Sequence, residues 1–412
     1  MDITVEMALC LPEGPPDKLG IAISGGGDST ALLYLLVAWA RAQGVRLFAA
    51  TVDHGLREGS AAEAASVAKL CAGLGIQHQT LRWSGWNGSG NLQDQARRAR
   101  QHLLTHWAMQ HELPVVALGH TMDDQAETLL MRLARGSGVD GLAAIQASHK
   151  RGGIRWIRPL LDTSREDLRV VLRALDATWL EDPSNQDERF DRVRIRKAMT
   201  ALELSPNGLA ETAARMQTAR VFLEQETQKA ARKLATVTVA GDVEINRDGL
   251  FELADELRFR LLAHSLRFVA SAPYRPRLAA LHNLMKLIEN EGKATLAGCL
   301  VATAKPGLVR LSREYAAVRD MACSTEAIWD RRWRVAGAAP EAGFQIRALG
   351  AEGLKNCPDW RDCDLPRDSL IAGPAVWSGQ ELIAAPLAGI PNGCVCVLQK
   401  GAEAYFSSIL SH

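Results

Sequence analysis

The sequence has few cysteines and almost no net charge. Eight cysteines in 412 residues are too sparse for a disulfide scaffold, and none forms the C-x-x-C pair of a thiolate metal site. The 48 lysines and arginines exceed the 47 aspartates and glutamates by one, so a polyanionic partner would have to bind local basic patches. The sparse cysteines predict a protein of the reducing cytoplasm.

Long apolar segments are also missing. No uninterrupted apolar run approaches the roughly 20 residues that a membrane helix needs, so we expect no membrane span. The first ten residues, MDITVEMALC, lack a basic segment ahead of an apolar one, and no signal peptide is expected. The 47% apolar and 23% charged residues are typical of globular proteins. A chain of this length predicts about two to four domains.

Apolar runs alternate with helix-length segments over the first 200 residues. Strands are predicted at 19–24, 45–53, 76–83 and 114–119, and helices at 28–43, 60–73 and 93–112. This alternation favours right-handed parallel crossovers, and therefore a doubly wound, mainly parallel α/β sheet. Ligands bind such sheets at the carboxyl ends of the strands. The polar residues at those ends are Ser24–Ser29, Asp53 and His54, and His120–Glu127.

The character of the sequence changes at the turn-forming cluster Ser205-Pro206-Asn207-Gly208. Residues 209–287 are predicted to be helical, with one short hairpin at 237–245, and residues 294–314 are predicted to form a β-hairpin. Beyond about Trp329, glycine and proline separate short apolar runs, which indicates a small, mainly β domain. The predicted domains are 1–205, 206–328 and 329–412.

A glycine-rich string, Ser24-Gly25-Gly26-Gly27-Asp28-Ser29, lies between the first predicted strand and helix. Glycines allow positive φ and a close approach of the backbone to a ligand, and the N–H groups that open a helix favour an anion. Asp28 would repel phosphate unless a cation lay between them, and Mg²⁺ binds carboxylates together with substrate phosphates. The Walker A pattern is absent. A glycine turn without a ligand is the alternative.

This string resembles the signature of the PP-loop (N-type) ATP pyrophosphatases. Three further regions narrow the resemblance: VDHGLRE (52–58), LGHTMDDQAETLLMRLARGSGVDGL (118–142), and RPLLDTSREDL with WLEDPSNQDERFDRVRIR (158–168 and 179–196). Together they resemble the tRNA(Ile)-lysidine synthetase family, strongly over about 19–200 and weakly beyond. The resemblance implies a ligase that uses ATP and Mg²⁺ to adenylate the wobble cytidine of an isoleucine tRNA with a CAU anticodon. Free L-lysine then displaces AMP at C2.

Acidic residues follow the fourth predicted strand at helical spacing. His120, Asp124 and Glu127 share one helix face, and Asp123 lies four residues before Glu127. Stacked carboxylates repel each other unless Mg²⁺ or a substrate ammonium lies among them, and one carboxylate could take a proton from a lysine substrate. Alternatively, the aspartates complement the helix dipole and Glu127 pairs with solvent or Arg132.

The resemblance also implies residue roles. Asp28, Asp124 and Glu127 would handle Mg²⁺ and lysine, with Asp28 and Asp124 as the metal ligands and Asp123 near the substrate. His120 would contact the cytidine or the phosphate charge. The residues expected to bind the nucleotide are Ser24, Gly25, Gly26, Gly27, Asp28, Ser29, Asp53 and His54.

Four arginines are further candidates for substrate contacts. Arg97 and Arg100 lie on the helix predicted at 93–112, where family members commonly have R-Y and this chain has Arg100-Gln101. Arg192 and Arg196 would lie one turn apart if their segment is helical, and could then bind a phosphate together. An extended segment is equally compatible with the pattern. Arg192 is expected to be catalytic. A solvated charged surface is the alternative for all four.

A stretch without acidic residues, 257–288, is the candidate nucleic-acid surface. Its basic residues are Arg258, Arg260, Arg267, Arg275, Arg277 and Lys286, and its aromatic residues are Phe259, Phe268 and Tyr274. Arginine and lysine bind phosphates, whereas the aromatics are expected to belong to a helical core. RRWRV (331–335) repeats the pattern.

Three other functions compete with lysidine formation. A PP-loop tRNA thiolase typically needs reactive cysteines, and Cys71, the one cysteine between the loop and residue 200, is expected in the core. A small-molecule synthetase would not need the basic stretch. A relict tRNA-binding protein would not need Asp28, Asp124 and Glu127. The oligomeric state stays open.

Overall fold

The computed structural model describes residues 3–55, 59–84, 92–181, 189–337 and 343–410. Residues 56–58 and 182–188, which carry parts of two predicted motifs, lie outside these ranges. The chain divides into two compact units, Met1–Arg220 and Val221–His412. The division into three domains stays a prediction. Within the described ranges, no helix combines the length and apolarity needed to cross a membrane.

The first unit is built on a six-stranded sheet of order β3-β2-β1-β4-β6-β5. Its strands are β1 (Lys18–Ala22), β2 (Arg46–Asp53), β3 (Gln77–Arg82), β4 (Val115–Leu118), β5 (Ser148–Arg151) and β6 (Ile154–Ile157). All neighbours are parallel except β5, which runs antiparallel to β6. The predicted doubly wound, mainly parallel α/β class is confirmed.

Helices precede, connect and follow these strands. They are α1 (Thr4–Cys10), α2 (Gly27–Gln43), α3 (Ser60–Gly73), α4 (Leu92–Gln110), α5 (Met122–Leu133), α6 (Val139–Leu142), α7 (Arg165–Ala174), α8 (Asp191–Ala201) and α9 (Pro206–Leu234). Strand β1 lies at the centre, with Ile21 paired to Ala49 of β2 and Ala117 of β4. A parallel strand covered on both faces needs a continuous apolar run, which Leu19–Ile23 supplies.

The β5–β6 hairpin was not predicted from the sequence. Gly152 and Gly153 form its turn with φ values of 60° and 78°, and two positive φ values are what a tight type I′ hairpin requires. The Gly-Gly pair between Arg151 and Ile154 was therefore the available signal. The hairpin has a consequence for the site because β6 delivers Arg158 to the edge where β4 ends.

Within residues 221–337 and 343–410, the second unit contains three antiparallel sheets, of orders β7-β8-β11-β10-β9, β12-β14-β15-β16 and β13-β17. The strands are β7 (Ala235–Val237), β8 (Val243–Asn246), β9 (Lys293–Leu296), β10 (Cys299–Lys305), β11 (Leu308–Arg313), β12 (Ala322–Ser324), β13 (Trp333–Ala336), β14 (Phe344–Ala348), β15 (Pro374–Ser378), β16 (Glu381–Ala384) and β17 (Val395–Leu398). The helices are α10 (Arg247–Glu252), α11 (Asp255–Ala270), α12 (Leu278–Glu289), α13 (Gly350–Lys355), α14 (Arg367–Ile371) and α15 (Ala402–Ser407).

The hairpin predicted at 237–245 corresponds to β7 and β8. The segment predicted as one hairpin at 294–314 instead forms three consecutive antiparallel strands, β9, β10 and β11. The additional turn lies between β9 and β10, where Gly298 has a φ of 76°. The extra strand completes a five-stranded sheet that packs against α11 and α12 through a shared apolar core.

Candidate active site

The glycine-rich string connects β1 to α2 and is held by its own serines and threonine. Ser29 Oγ donates to the Gly26 carbonyl at 2.9 Å and accepts from the Ser24 N–H at 3.2 Å. Thr30 Oγ1 donates to the Gly25 carbonyl at 3.1 Å. These bonds fix the loop while the first N–H groups of α2 lack partners within the helix, as anion binding at a helix start requires.

The chain near Leu180 closes one side of this loop. The Leu180 N–H donates to the Gly25 carbonyl at 2.9 Å, and Gly26 forms a parallel bridge with Leu180. Gly25 has a φ of 86°, and a Cβ at this position would lie 2.6 Å from Leu180 Cδ1. Glycine is therefore favoured at position 25 chiefly for the backbone conformation, and a Cβ would also displace the end of the Leu180 side chain.

Asp124 belongs to the first turn of α5, which begins with a capping box. Thr121 is the N-cap, and its N–H donates to Asp124 Oδ2 at 2.9 Å while its hydroxyl accepts from the Asp124 N–H. One of the two oxygens of Asp124 therefore has a local role at the start of the helix, close to the alternative in which the aspartates complement the helix dipole. The other oxygen, Oδ1, is directed to Arg165 and Arg192, at 2.9 and 3.5 Å.

Glu127 is 1% exposed and is held by two arginines. Its Oε1 accepts hydrogen bonds from Arg165 Nη1 at 2.7 Å and from Arg196 Nε at 2.6 Å. The alternative of a pair with Arg132 is wrong, because Arg132 donates to the carbonyls of Gly141 and Ala144. Glu127 thus belongs to the same cluster as Asp124.

The central residue of the cluster, Arg165, was missed by the sequence analysis. Its guanidinium contacts Asp28 Oδ2 at 3.2 Å, Asp124 Oδ1 at 2.9 Å and Glu127 Oε1 at 2.7 Å. Its backbone N–H donates to Asp123 Oδ2 at 2.8 Å. The quoted stretch RPLLDTSREDL contains this arginine, so the motif was the available signal. The prediction that Asp28, Asp124 and Glu127 come together is supported by these contacts.

Two electrostatic effects act on the carboxylates. Burial raises the pKa of Asp28 above its usual value, and the opposing effect of Arg165 is smaller. Burial also disfavours the ionised form of Asp124, but Arg165, His120 and the Thr121 N–H together lower the pKa of Asp124 below its usual value. The cluster therefore needs positive charge to keep its acids ionised.

The segment of Arg192 and Arg196 is helical, which resolves the alternative that the sequence left open. Both residues lie on α8 and face α5, with Arg192 Nη1 3.5 Å from Asp124 Oδ1 and Arg196 Nε 2.6 Å from Glu127 Oε1. Val193 is buried on the same helix. Arg192 and Arg196 therefore contact the acids of the site and are not part of a purely solvated charged surface. Phosphate binding by these two arginines stays a prediction.

His120 is held by Arg158. Arg158 Nε donates to His120 Nδ1 at 3.3 Å and Nη1 donates to the Gln146 carbonyl at 2.7 Å. Because an arginine only donates, His120 carries its proton on Nε2 when neutral. Burial is the main cause that lowers the pKa of His120 to about 3, and nearby arginines contribute. His120 is therefore a neutral hydrogen-bond donor near pH 7.

Two further predicted residues, Arg97 and Arg100, lie on α4. Burial and the charges of Arg192 and Arg97 lower the pKa of Arg100, and Arg100 in turn helps to lower the pKa of both His54 and His120. Arg100 therefore belongs to the positive side of the site, whereas Arg97 is exposed on the same helix.

Asp53 has a local role at the end of β2. Its Oδ1 accepts from the Gly55 N–H at 3.0 Å, and this hydrogen bond is the main cause that lowers its pKa. These contacts are those of a turn residue, so nucleotide binding by Asp53 and by the adjacent His54 stays a prediction.

Two carboxylates next to the loop suit a magnesium ion. No group of three or more His, Cys, Asp or Glu side chains within the described residues is arranged to hold a metal alone. Mg²⁺ needs only one or two protein carboxylates, because phosphate oxygens and waters complete its coordination. Asp28 and Asp124 fit this requirement, since Asp28 Oδ2 and Asp124 Oδ1 lie close together, 3.2 and 2.9 Å from nitrogens of the Arg165 guanidinium.

The chain resembles known proteins along nearly its whole length. Residues 3–203 match the model of a PP-loop domain. A tRNA(Ile)-lysidine synthase of Ruegeria pomeroyi is 47% identical over 401 residues, which are 97% of this chain and 95% of that protein. The chain belongs to the tRNA(Ile)-lysidine synthase family. The predicted family and the predicted tRNA-modifying ligase activity are thereby confirmed.

Further relatives have the same name. Those of a Bradyrhizobium species and of Mesorhizobium japonicum are 39% and 35% identical, over 73% and 89% of this chain and 91% and 83% of theirs. Among solved structures, a U34-tRNA thiolase of Methanococcus maripaludis covers 53% of this chain and 77% of its own, at 19% identity and a TM-score of 0.46. A sequence identity and a TM-score this low give no information about activity.

The cysteine predicted in the core is found there. Cys71 on α3 is fully buried among apolar residues of the first unit, and burial raises its pKa to about 11. A buried thiol with a raised pKa is a poor nucleophile. In this member of the lysidine synthase family, Cys71 is therefore unsuited to the sulfur chemistry of a thiolase.

Only part of the candidate nucleic-acid stretch is available to a partner. Arg258 donates to the carbonyls of Leu250, Phe251 and Leu253, and Arg260 is buried and pairs with Glu256. The aromatics Phe259 and Phe268 pack in the core of the second unit, as expected. The exposed members of the stretch include Tyr274, Arg277 and Lys286. Contact of this stretch with tRNA stays a prediction.

Proposed function

We propose that this enzyme adenylates the wobble cytidine of an isoleucine tRNA with a CAU anticodon and then joins free L-lysine to C2 of that base. The observation that carries the proposal is that Asp28, Asp124 and Glu127 converge beside the glycine loop, where all three contact the guanidinium of Arg165. Adenylation uses a metal ion and lysine transfer uses an ammonium group. Both are positively charged, so both are bound by carboxylates, and the two steps take place at the same base.

In the first step, the polyphosphate of ATP lies on the loop from Ser24 to Ser29. The cytidine O2 attacks the α-phosphorus, a bond from O2 to phosphorus forms, and pyrophosphate leaves. Asp28 and Asp124 would hold Mg²⁺, which supplies positive charge that neutralises the phosphate oxygens. Arg100 and Arg192 are suited to stabilise the negative charge that develops at phosphorus, and His120 can donate from Nε2.

In the second step, the lysine ε-amine attacks C2, and AMP leaves with the former O2 oxygen. Lysine arrives as an ammonium ion, so it must lose one proton before its nitrogen can attack and another after the new bond forms. Glu127 and Asp123 are the acids that remain for this role when Asp28 and Asp124 hold the metal. A positioned carboxylate of this kind contributes about 10²- to 10⁴-fold to such reactions.

The tRNA would contact exposed basic residues, among them Arg277 and Lys286. Because phosphate contacts release counterions, we expect tRNA affinity to fall steeply between 50 and 200 mM salt, by about 10³-fold or more if six phosphates are contacted. The sparse cysteines, which are all free, support a location in the reducing cytoplasm.

The decisive experiment measures AMP and pyrophosphate release from ATP with labelled lysine and isoleucine tRNA. We expect AMP release that requires the tRNA, and transfer of the lysine label to it. AMP release that is independent of lysine, with sulfur incorporation instead, would favour the thiolase alternative. No AMP under any condition would contradict an enzymatic function. A tRNA whose wobble cytidine is replaced by uridine is the matched control.

A further inference from the structure

Arg165 has no part in the reaction proposed above, although it touches every acid of the site. It opens α7 directly after the N-cap Ser164. Its backbone reaches Asp123 and its guanidinium reaches Asp28, Asp124 and Glu127. An arginine that joins acids from two helices constrains how those acids can turn.

The two oxygens of Glu127 differ in their surroundings. Oε1 accepts from Arg165 at 2.7 Å and from Arg196 at 2.6 Å. Oε2 is buried and accepts no hydrogen bond from any residue that the structure describes. Arg192 Nε lies 3.9 Å from Oε2, which is too far for a hydrogen bond. A buried carboxylate oxygen without a donor is unfavourable, so Oε2 is suited to a donor that a ligand supplies.

The double contact on Oε1 determines which oxygen is available. A carboxylate held by one donor can rotate and present either oxygen to a ligand. Arg165 comes from α7 and Arg196 from α8, so Oε1 is held from two independent elements. Rotation of Glu127 would break both charge-assisted hydrogen bonds, which are the strong kind.

We propose that Arg165 is a positioning residue for the amine substrate: with Arg196 it holds Glu127 Oε1 and so reserves Oε2 for the ε-ammonium group of lysine. The inference rests on the proposed function, because it requires lysine as the second substrate. Arg165 itself touches neither lysine nor the reacting atoms. Without it, Oε1 keeps only the hydrogen bond from Arg196, and the direction of the carboxylate toward the ammonium group is less well fixed.

A purely structural role of Arg165 predicts a different result. If the arginine only stabilised the fold, its removal would lower activity with ATP and with lysine to the same extent. A positioning role predicts that the effect is concentrated on lysine. The ratio of the two kcat/KM values therefore separates these roles.

The test compares Arg165→Ala and Arg165→Lys with the wild type and with Arg169→Ala, a control on the same helix whose exposed side chain lies 3.6 Å from Glu166. For Arg165→Ala we expect kcat/KM for lysine to fall at least tenfold more than kcat/KM for ATP. Low millimolar guanidinium should restore part of this loss, while potassium at the same ionic strength should not. Arg165→Lys should give an intermediate value, because one ammonium cannot bridge three carboxylates. Arg169→Ala should match the wild type.

Equal losses for ATP and lysine, or no restoration by guanidinium, would overturn the positioning role. If circular dichroism shows that Arg165→Ala does not fold, Arg165→Lys decides: a lysine KM within twofold of the wild type overturns the inference, and a selective rise supports it. A wild-type enzyme that transfers no lysine to tRNA would instead contradict the proposed function, so the two failures are distinguishable.

Discussion

Two arginine–carboxylate clusters, one in each unit, use the same chemical groups for different purposes. In the first unit, Arg165 lies among three acids, and one buried oxygen of Glu127 accepts no hydrogen bond from the part of the chain that the structure describes. In the second unit, Arg313 binds Asp330 with two hydrogen bonds of 2.8 and 3.0 Å and donates a third to the Gly298 carbonyl. Both clusters are largely buried, so burial alone does not distinguish them.

The difference lies in how completely the acceptors are satisfied. In the Arg313 pair, each oxygen of Asp330 accepts a hydrogen bond from the guanidinium, so neither carboxylate oxygen is left without a donor. The Arg165 cluster is different because several acids share one guanidinium and the glycine loop lies next to it. An incompletely satisfied cluster at the carboxyl ends of parallel strands indicates a binding site. The Arg313 pair instead joins the last residue of β11 to a turn, which indicates a structural connection.

The largest expected effect concerns the acids of the first cluster. Asp28→Ala should lower adenylation of the tRNA by about 100- to 1,000-fold, because it removes a carboxylate that would hold Mg²⁺, whose positive charge would stabilise the negative charge that develops on the phosphate. Glu127→Gln should leave ATP binding and adenylation nearly unchanged and depress lysine transfer instead. Pyrophosphate release without lysine and lysine transfer to tRNA measure the two steps separately.

Glu166→Gln is the matched control for both variants, since Glu166 lies on α7 and is 62% exposed at its side chain. It should behave as the wild type in both assays. Equal loss of ATP affinity in Asp28→Ala and Glu127→Gln would contradict separate roles for the two acids.

The second expected effect is on stability and concerns the closed pair. Asp330→Ala leaves the buried guanidinium of Arg313 without its carboxylate, and breaking a buried pair in this way costs about 3–5 kcal/mol of unfolding free energy. Urea unfolding followed by circular dichroism measures this loss. The exposed pair of Arg319 and Asp320 provides the control, and Asp320→Ala should change stability little. Similar stabilities of the two variants would show that the Arg313 pair is not structural.

The parts of the site that lie close in the sequence were predictable. The loop after β1 and the acids at the start of α5 follow from local patterns of glycine, serine and spaced carboxylates. The function of Arg165 was not predictable in this way, because Arg165 and Asp28 are 137 positions apart and meet only through the tertiary fold. The motif that contains Arg165 was recognised, but nothing in its local pattern shows which residues it contacts.

The helical or extended state of 191–196 was undecided for a related reason. Val193 and Ile195 alternate with arginines, a pattern compatible with a strand, whereas Arg192 and Arg196 share a face in a helix. The structure places this segment in α8, where Arg192 and Arg196 contact the acids of α5. Asp330 and Arg313 likewise join regions assigned to different domains from the sequence, which local composition could not show.

The smallest expected effect concerns Asp242 in the second unit. This acid is intermediate between the incompletely satisfied acids of the Arg165 cluster and the fully paired Asp330. Asp242 is 2% exposed and accepts a hydrogen bond from the Ser369 hydroxyl. Burial raises its pKa to about 6 from an ordinary value of 3.8, although Ser369 and Arg332 oppose this shift. A raised pKa in the folded state means that the stabilising contribution is complete below pH 4 and is lost as the pH rises through 6.

Asp242→Asn keeps an acceptor for Ser369 and cannot ionise. We therefore expect the variant to be more stable than the wild type at pH 8, by on the order of 2 kcal/mol, with the difference disappearing near pH 4. Unfolding of both proteins in urea at several pH values measures this difference directly, and other titrating groups cancel in the comparison. A variant that is less stable at pH 8 would show that ionised Asp242 forms a favourable pair with Arg332, as Asp330 does with Arg313. Asp242 would then belong with the closed, structural kind of cluster.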